Sequence, residues 1–222
     1  MSKQTRFIFE RPLEAMISEM MDMGIRDFRV IDAMRRIPRH IFLDEALHSR
    51  AYENCSWPIG HKQTISQPFI VAKMTELILE ALPRDQKKFN SILEIGSGCG
   101  YQTSILSFFA DEVHAMERIK ALVLKSREHL SELKIHNTII KHRDGFEGWD
   151  ERISYNAILC AAAPLEVPER LLKFLAPGGI LVLPVGPENN QILKKITFNN
   201  GEFTEVDYTE VSFVPMLAGL NK

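Results

Sequence analysis

Three glycines at alternate positions end the run Ile92-Leu93-Glu94-Ile95-Gly96-Ser97-Gly98-Cys99-Gly100. Glycine lacks the Cβ atom that would hold a ligand off the main chain, and it adopts the positive φ angles of a tight strand-to-helix turn. A helix starting near Tyr101 then aims its free N–H groups at the same spot. The dinucleotide fingerprint is Gly-x-Gly-x-x-Gly, and here the third glycine arrives one residue early, which weighs against a nicotinamide or flavin ligand. Glu117 ends a second partly apolar run, Val113-His114-Ala115-Met116, 21 residues beyond Gly96. A nucleotide-binding α/β unit carries its ribose-binding acid at that distance. Glycine-rich turns and acids after a second strand also occur without any ligand, so spacing alone leaves both readings open.

Other chemistries have little support. Cys55, Cys99 and Cys160 are far apart and form no Cys-x-x-Cys pair, which argues for a reducing compartment and against a disulfide frame. The seven histidines show no His-Glu-x-x-His or compact Cys/His pattern, so no metal site is expected. Lysine plus arginine number 27 against 29 acids, a net charge of −2, which leaves no global field to hold a nucleic acid. Phe7-Ile8-Phe9 runs at once into Glu10-Arg11 and no apolar run nears 18 residues, so neither a secretory leader nor a membrane span is expected, and the cytoplasm is the expected compartment.

These residues must be positioned by a chain of 222 residues with 45% hydrophobic content, enough for one domain with a small extension. Leu13, Met16, Ile17 and Met20 fall at helical spacing before Gly24, predicting a helix over 11–23. Asp27 should cap a second helix that buries Val30, Ile31 and Met34 and stops before Pro38. Pro68 suits the first turn of a third, running to about Leu82. Strands are then expected at 91–95, 112–116, 137–141, 156–160 and 179–184, with helices at 101–109, 118–133 and 166–175. That alternation predicts an α/β fold with a doubly wound, mostly parallel sheet, its ligand beyond the carboxyl ends of the strands. Asn199-Asn200-Gly201 separates two β-rich stretches, 192–198 and 203–214, predicting a C-terminal antiparallel hairpin. The expected divisions are an N-terminal helical part and loop (1–83), a ligand-binding core (91–186) and a hairpin with tail (190–222).

Taken in order, Pro58-Ile59-Gly60-His61-Lys62-Gln63-Thr64-Ile65-Ser66-Gln67-Pro68, the glycine loop, Glu117-Arg118-Ile119, Asp144-Gly145, Ala161-Ala162-Ala163-Pro164, Leu183-Pro184-Val185-Gly186 and Phe213-Val214-Pro215 resemble the protein-L-isoaspartate O-methyltransferase family over nearly the whole chain. The glycine loop alone would indicate only a class I, Rossmann-like methyltransferase. The Thr-Ile-Ser-Gln-Pro block and the late Phe-Val-Pro are more specific. The resemblance implies methyl transfer from S-adenosylmethionine, leaving S-adenosylhomocysteine, to the α-carboxylate of isoaspartyl residues in damaged proteins and peptides. In the family the ester then closes to a succinimide, whose hydrolysis returns some normal aspartate, so the implied role is protein repair by a monomer.

An α-carboxyl has an unperturbed pKa of about 3.3 to 3.7, so the nucleophile is ionised at neutral pH and needs no general base. A carboxylate and a sulfonium neutralise each other on reaching the transition state; alignment and exclusion of water then supply the acceleration. On the resemblance, Ser66 is the catalytic residue, orienting the substrate carboxylate, with Thr64 and Ile65 shaping the same loop. By its own chemistry Ser66 could equally be a helix-capping or turn serine. The resemblance further assigns the cofactor to Thr64, Ile65, Ser66, Glu94, Gly96, Ser97, Gly98, Gly100, Glu117 and Arg118, with the adenine amino group on Asp144 and its ring edge against Gly145. Local alternatives are a helix N-terminal acid for Glu117, an Asp-Gly turn for Asp144 and a buried, backbone-satisfied acid for Glu94. Ala162, Ala163, Val214 and Pro215 are assigned to the peptide substrate, although small residues at a strand end also serve plain packing. His61, Lys62 and Arg143 depart from the family pattern, where smaller or uncharged residues are common. A methyltransferase for another carboxylate or a small molecule, and a non-catalytic isoaspartyl-binding relative, share the cofactor half of these assignments.

Overall fold

The computed structural model describes residues 3–150 and 152–221. Helix α1, Lys3–Asp22, begins earlier than its apolar spacing predicts and carries Pro12 inside it. It ends as expected at Gly24, whose φ of +108° lets the Gly24 and Ile25 N–H groups reach back to the Met21 and Met20 carbonyls. Helix α2, Phe28–Arg36, is capped by the Asp27 side chain, which accepts from the Arg29 N–H at 2.8 Å, and it stops at Ile37, since the residue before a proline avoids helical ψ. Two 3-10 turns follow, Arg39–Phe42 and Glu45–Arg50.

The stretch expected as a loop is a small hairpin, β1 (Trp57–Gly60) and β2 (Gln63–Ile65). Its turn residues His61 and Lys62 take left-handed φ of 53° and 58°, the geometry for which Asn-Gly is the usual sequence signal. Helix α3, Pro68–Leu79, then starts on a proline at its first turn, as predicted.

The main sheet comprises β3 (Phe89–Ile95), β4 (Ala110–Glu117), β5 (Thr138–His142), β6 (Tyr155–Cys160), β7 (Leu175–Val185), β8 (Gln191–Asn199) and β9 (Glu202–Val211). Their spatial order is β5-β4-β3-β6-β7-β8-β9, parallel from β5 to β7 and antiparallel for the last two pairings. Neighbouring residues of one strand feed opposite layers: Ile92 packs with Val30 and Met34 of α2 and Leu77 of α3, while Leu93 joins Trp149, Leu171 and Phe174 on the other face. Helices α4 (Tyr101–Leu106), α5 (Lys120–Glu132) and α6 (Glu169–Leu172) make the crossovers.

Two boundaries differ from expectation for steric reasons. The helix expected over 166–175 is only the four residues of α6, because Pro168 bars helical ψ at Val167 and Leu175 already pairs with Tyr155 in the sheet. Strand β9 ends at Val211, and residues 213–217 leave the sheet to cross the end of β6. There the Ala163 N–H donates to the Val214 carbonyl at 2.8 Å and the Met216 N–H to the Ala163 carbonyl at 2.7 Å.

Candidate active site

The chain leaves β3 outward to β4 and β5 and returns on the other side through β6 and β7. The turns after β3 and β6 therefore diverge, and a crevice opens where the strand order reverses. A cavity of about 350 Å³ lies there. Ala161 continues from β6 with its N–H on the Ile95 carbonyl at 2.8 Å, and it sits directly against Gly96, where a Cβ would come within 3.7 Å of it.

Gly96, Ser97 and Gly98 form the floor of the cavity, with φ of 83° and 52° at the two glycines. Gly100 does not line it. A Cβ at Gly100 would stand 3.2 Å from the Ser126 side chain, so the third glycine serves the close approach of α4 to α5. Thr64, Ile65 and Ser66 cover one side, Glu117 and Arg118 another, Gly145 and Ala162 a third, and Val214 and Pro215 reach in from the C-terminal segment. Ala163, expected to face substrate, is buried and instead holds that segment through its backbone.

The three acids behave differently. Glu94 is fully buried beneath the glycine turn and does not itself line the cavity, and among the described residues neither of its carboxylate oxygens has a hydrogen-bond partner. Burial pushes its carboxyl up to about 8, against the opposing pull of the Thr103 hydroxyl and with a further push from the charge of Glu117. Glu117 is also buried and its pKa is raised by desolvation, but it is partly satisfied, accepting from Gly98 N–H at 3.0 Å and Ile119 N–H at 2.9 Å. It thereby ties β4 to the glycine turn while lining the cavity.

Asp144, expected at the adenine, does not line the cavity. One oxygen accepts from the Phe146 N–H at 2.9 Å, capping a 3-10 turn, and the other accepts from the Gly219 N–H of the C-terminal tail. Sequence spacing could show an Asp-Gly turn but not that the tail would come back to occupy its free oxygen. Gly145 does line the cavity, and a Cβ there would overlap the Ile95 and Met216 side chains.

Ser66 is not the helix cap, since Gln67 occupies that position and makes no side-chain cap bond. Among the described residues no group hydrogen-bonds the Ser66 hydroxyl. A second cavity, of about 450 Å³, lies on the far side of the serine, between Asn54, Cys55 and Gln67 and the strand end at Glu210–Val214. Thr64, Ser66, Ala161 and Val214 line both cavities. Sequence reasoning missed Tyr101 and Asn221, which line the first cavity together with Met216 and Leu217 of the C-terminal segment, and Arg39 behind it. The one signal available was Arg39 itself, a charge within the apolar run Ile37-Pro38-Arg39-His40-Ile41-Phe42.

The reversal of strand order over a short-spaced glycine turn, with an antiparallel pair closing the sheet, defines the Rossmann-like methyltransferase fold. Comparison with known proteins narrows this class. A family profile described as protein-L-isoaspartate(D-aspartate) O-methyltransferase matches residues 11–221. The protein-L-isoaspartate O-methyltransferase of Cellvibrio japonicus is 48% identical over 213 residues, covering 94% of this chain and 92% of its own. That of Pseudomonas paraeruginosa is 46% identical over 210 residues, covering 95% and 97%. A Plasmodium falciparum structure described under the same activity, in complex with S-adenosyl-L-homocysteine, superposes with a TM-score of 0.79 at 26% identity, covering 91% of this chain and 97% of its own. The chain belongs to the protein-L-isoaspartate O-methyltransferase family.

Proposed function

We propose that this chain is a repair methyltransferase that moves a methyl group from S-adenosylmethionine to the α-carboxylate of L-isoaspartyl residues in damaged proteins and peptides. The observation that carries this reading is the unpartnered Ser66 hydroxyl at the junction of two cavities, one against the glycine turn and one opening toward the strand end. S-adenosylmethionine supplies an electrophilic methyl group on a sulfonium. The protein's residues fit that cofactor: the two unpartnered Glu94 oxygens and the unpartnered Ser97 hydroxyl are buried acceptors suited to a cationic amine, and Glu117 presents a carboxylate suited to a ribose. Ser66 donates to the substrate carboxylate and sets its approach. Thr64 and Ile65 hold the wall beside it, and Val214 and Pro215 cover the acceptor from the opposite side. Asp144 acts here at one remove, fixing the Gly145 turn and the tail rather than meeting the adenine. Residues 1–83, 91–186 and 190–222 serve as one unit, which we read as a monomer acting in the cytoplasm, where its three free cysteines remain reduced.

Incubation with methyl-labelled S-adenosylmethionine and paired isoaspartyl and aspartyl peptides tests the reading. Label is expected on the isoaspartyl peptide alone; label on both peptides or on neither overturns it.

The buried state of Glu94 sets a pH dependence. Its carboxyl is raised from 4.5 to about 8, so between those values the cofactor-free fold retains a proton that the unfolded chain has lost. The contribution of Glu94 to stability therefore falls as pH rises across that window. A cofactor ammonium over the glycine turn would favour the carboxylate form of Glu94 beneath it, so binding is expected to release the proton and affinity to climb toward pH 8, by at most about tenfold per unit. Calorimetry of S-adenosylhomocysteine binding at about pH 6, in buffers of different ionisation enthalpy, should show proton release close to one per ligand. Glu94→Gln should abolish that release.

A further inference from the structure

Arg39 opens the 3-10 turn after Pro38 and has no exposed surface. Among the described residues no carboxylate pairs with it. Its Nε donates to the Ala51 carbonyl at 2.9 Å, and its Nη2 donates to the Ser66 carbonyl at 2.7 Å and, more weakly, to the Cys55 carbonyl at 3.4 Å. The guanidinium lies over the Tyr101 ring at 4.8 Å, while Nη1 has no hydrogen-bond partner among the described residues.

Burying an unpaired cation is costly, and neutral donors could tie carbonyls together without that penalty. A guanidinium adds two things a neutral donor lacks. Its planar fork reaches separate segments at once and keeps them in fixed relation, and its positive charge stands directly behind Ser66. The segments it joins are the two halves of the site. Ser66 faces the junction of the cavities, and Tyr101 lines the first cavity at the start of the helix after the glycine turn.

We propose that Arg39 is a positioning residue for Ser66: by clamping the Ser66 carbonyl against the Ala51 carbonyl and the Tyr101 ring, it holds the serine hydroxyl at the angle needed to align a carboxylate acceptor. The proposal rests on the functional reading above. Arg39 lines neither cavity, so its effect is expected at Ser66, with which it shares a hydrogen bond, rather than at the cofactor.

The test compares the unaltered protein with Arg39→Lys, Ser66→Ala and the double variant. The lysine keeps the charge but loses the planar fork that fixes the Ala51 and Ser66 carbonyls in relation to each other. For Arg39→Lys, S-adenosylhomocysteine affinity by calorimetry should stay within about threefold, while single-turnover methylation of an isoaspartyl peptide falls by about 10²-fold, the scale of a misplaced reacting group. The double variant should be no slower than Ser66→Ala, because both changes remove the same alignment. Multiplying losses, a parallel fall in cofactor affinity, or a rate for Arg39→Lys within twofold of the unaltered protein would each overturn the proposal. Should Arg39→Lys not fold, Arg39→Gln takes its place in the cycle; failure of both to fold would assign Arg39 to the fold alone and also overturn it. Absence of methylation by the unaltered protein would instead remove the functional reading, and the proposal with it.

Discussion

Ser66→Ala is expected to slow single-turnover methyl transfer to an isoaspartyl peptide by about 10²- to 10³-fold, the cost of losing one preorganised donor at a reacting oxygen. Cofactor affinity should change little, because the glycine turn, Glu94 and Glu117 lie on other elements. Stability should change little as well, since the hydroxyl caps no helix and bonds no described group. The expected signature is therefore a loss in the chemical step with the melting temperature and S-adenosylhomocysteine affinity retained. A single-turnover rate equal to that of the unaltered protein would remove Ser66 from the mechanism.

Glu117 should show the opposite signature. Its carboxylate lines the cavity and also accepts the Gly98 and Ile119 N–H groups. Glu117→Ala thus removes a charged acceptor from the ribose side and strands two backbone donors, one of them inside the glycine turn. Cofactor affinity should fall by about 1 to 3 kcal/mol, roughly 5- to 150-fold. Glu117→Gln removes less, because Gly98 and Ile119 bond different carboxylate oxygens and the single amide oxygen can still accept from one of them, while the paired-hydroxyl grip on the proposed ribose is lost. Calorimetry should place the Gln variant between the unaltered and Ala proteins in affinity, with part of the thermal stability restored. Equal affinities in all three would refute the ribose assignment.

Much of this site could be read along the chain because its parts are local. The glycine turn is one strand, one bend and one helix start, and its positive φ angles are requirements on single residues. Glu117 could be placed by its distance from that turn because a strand-helix-strand crossover has a nearly fixed length. The C-terminal hairpin was legible for the same reason, with Asn200 and Gly201 both in the left-handed region that a two-residue turn demands. Where the expectations failed, a local signal was missing or misleading. The β1–β2 hairpin is too short for alternation to register, and its His61-Lys62 turn lacks the usual residues. The 166–175 stretch has helical composition, but Pro168 and the pairing of Leu175 decide otherwise.

Tertiary structure alone decided which polar groups keep free valences. Asp144 looks available in sequence, and the returning tail takes its second oxygen; Glu94 looks like any acid in a strand, and burial leaves it unpartnered and protonated near neutral pH. Gly100 belongs to the same spaced triplet as Gly96 and Gly98, and the approach of Ser126 from α5 gives it a packing role instead. Composition and spacing can specify which backbone turns a chain makes, since those depend on neighbouring residues. Desolvation and hydrogen-bond satisfaction depend on groups tens of residues away, so only the packed fold settles which side chain can meet a ligand.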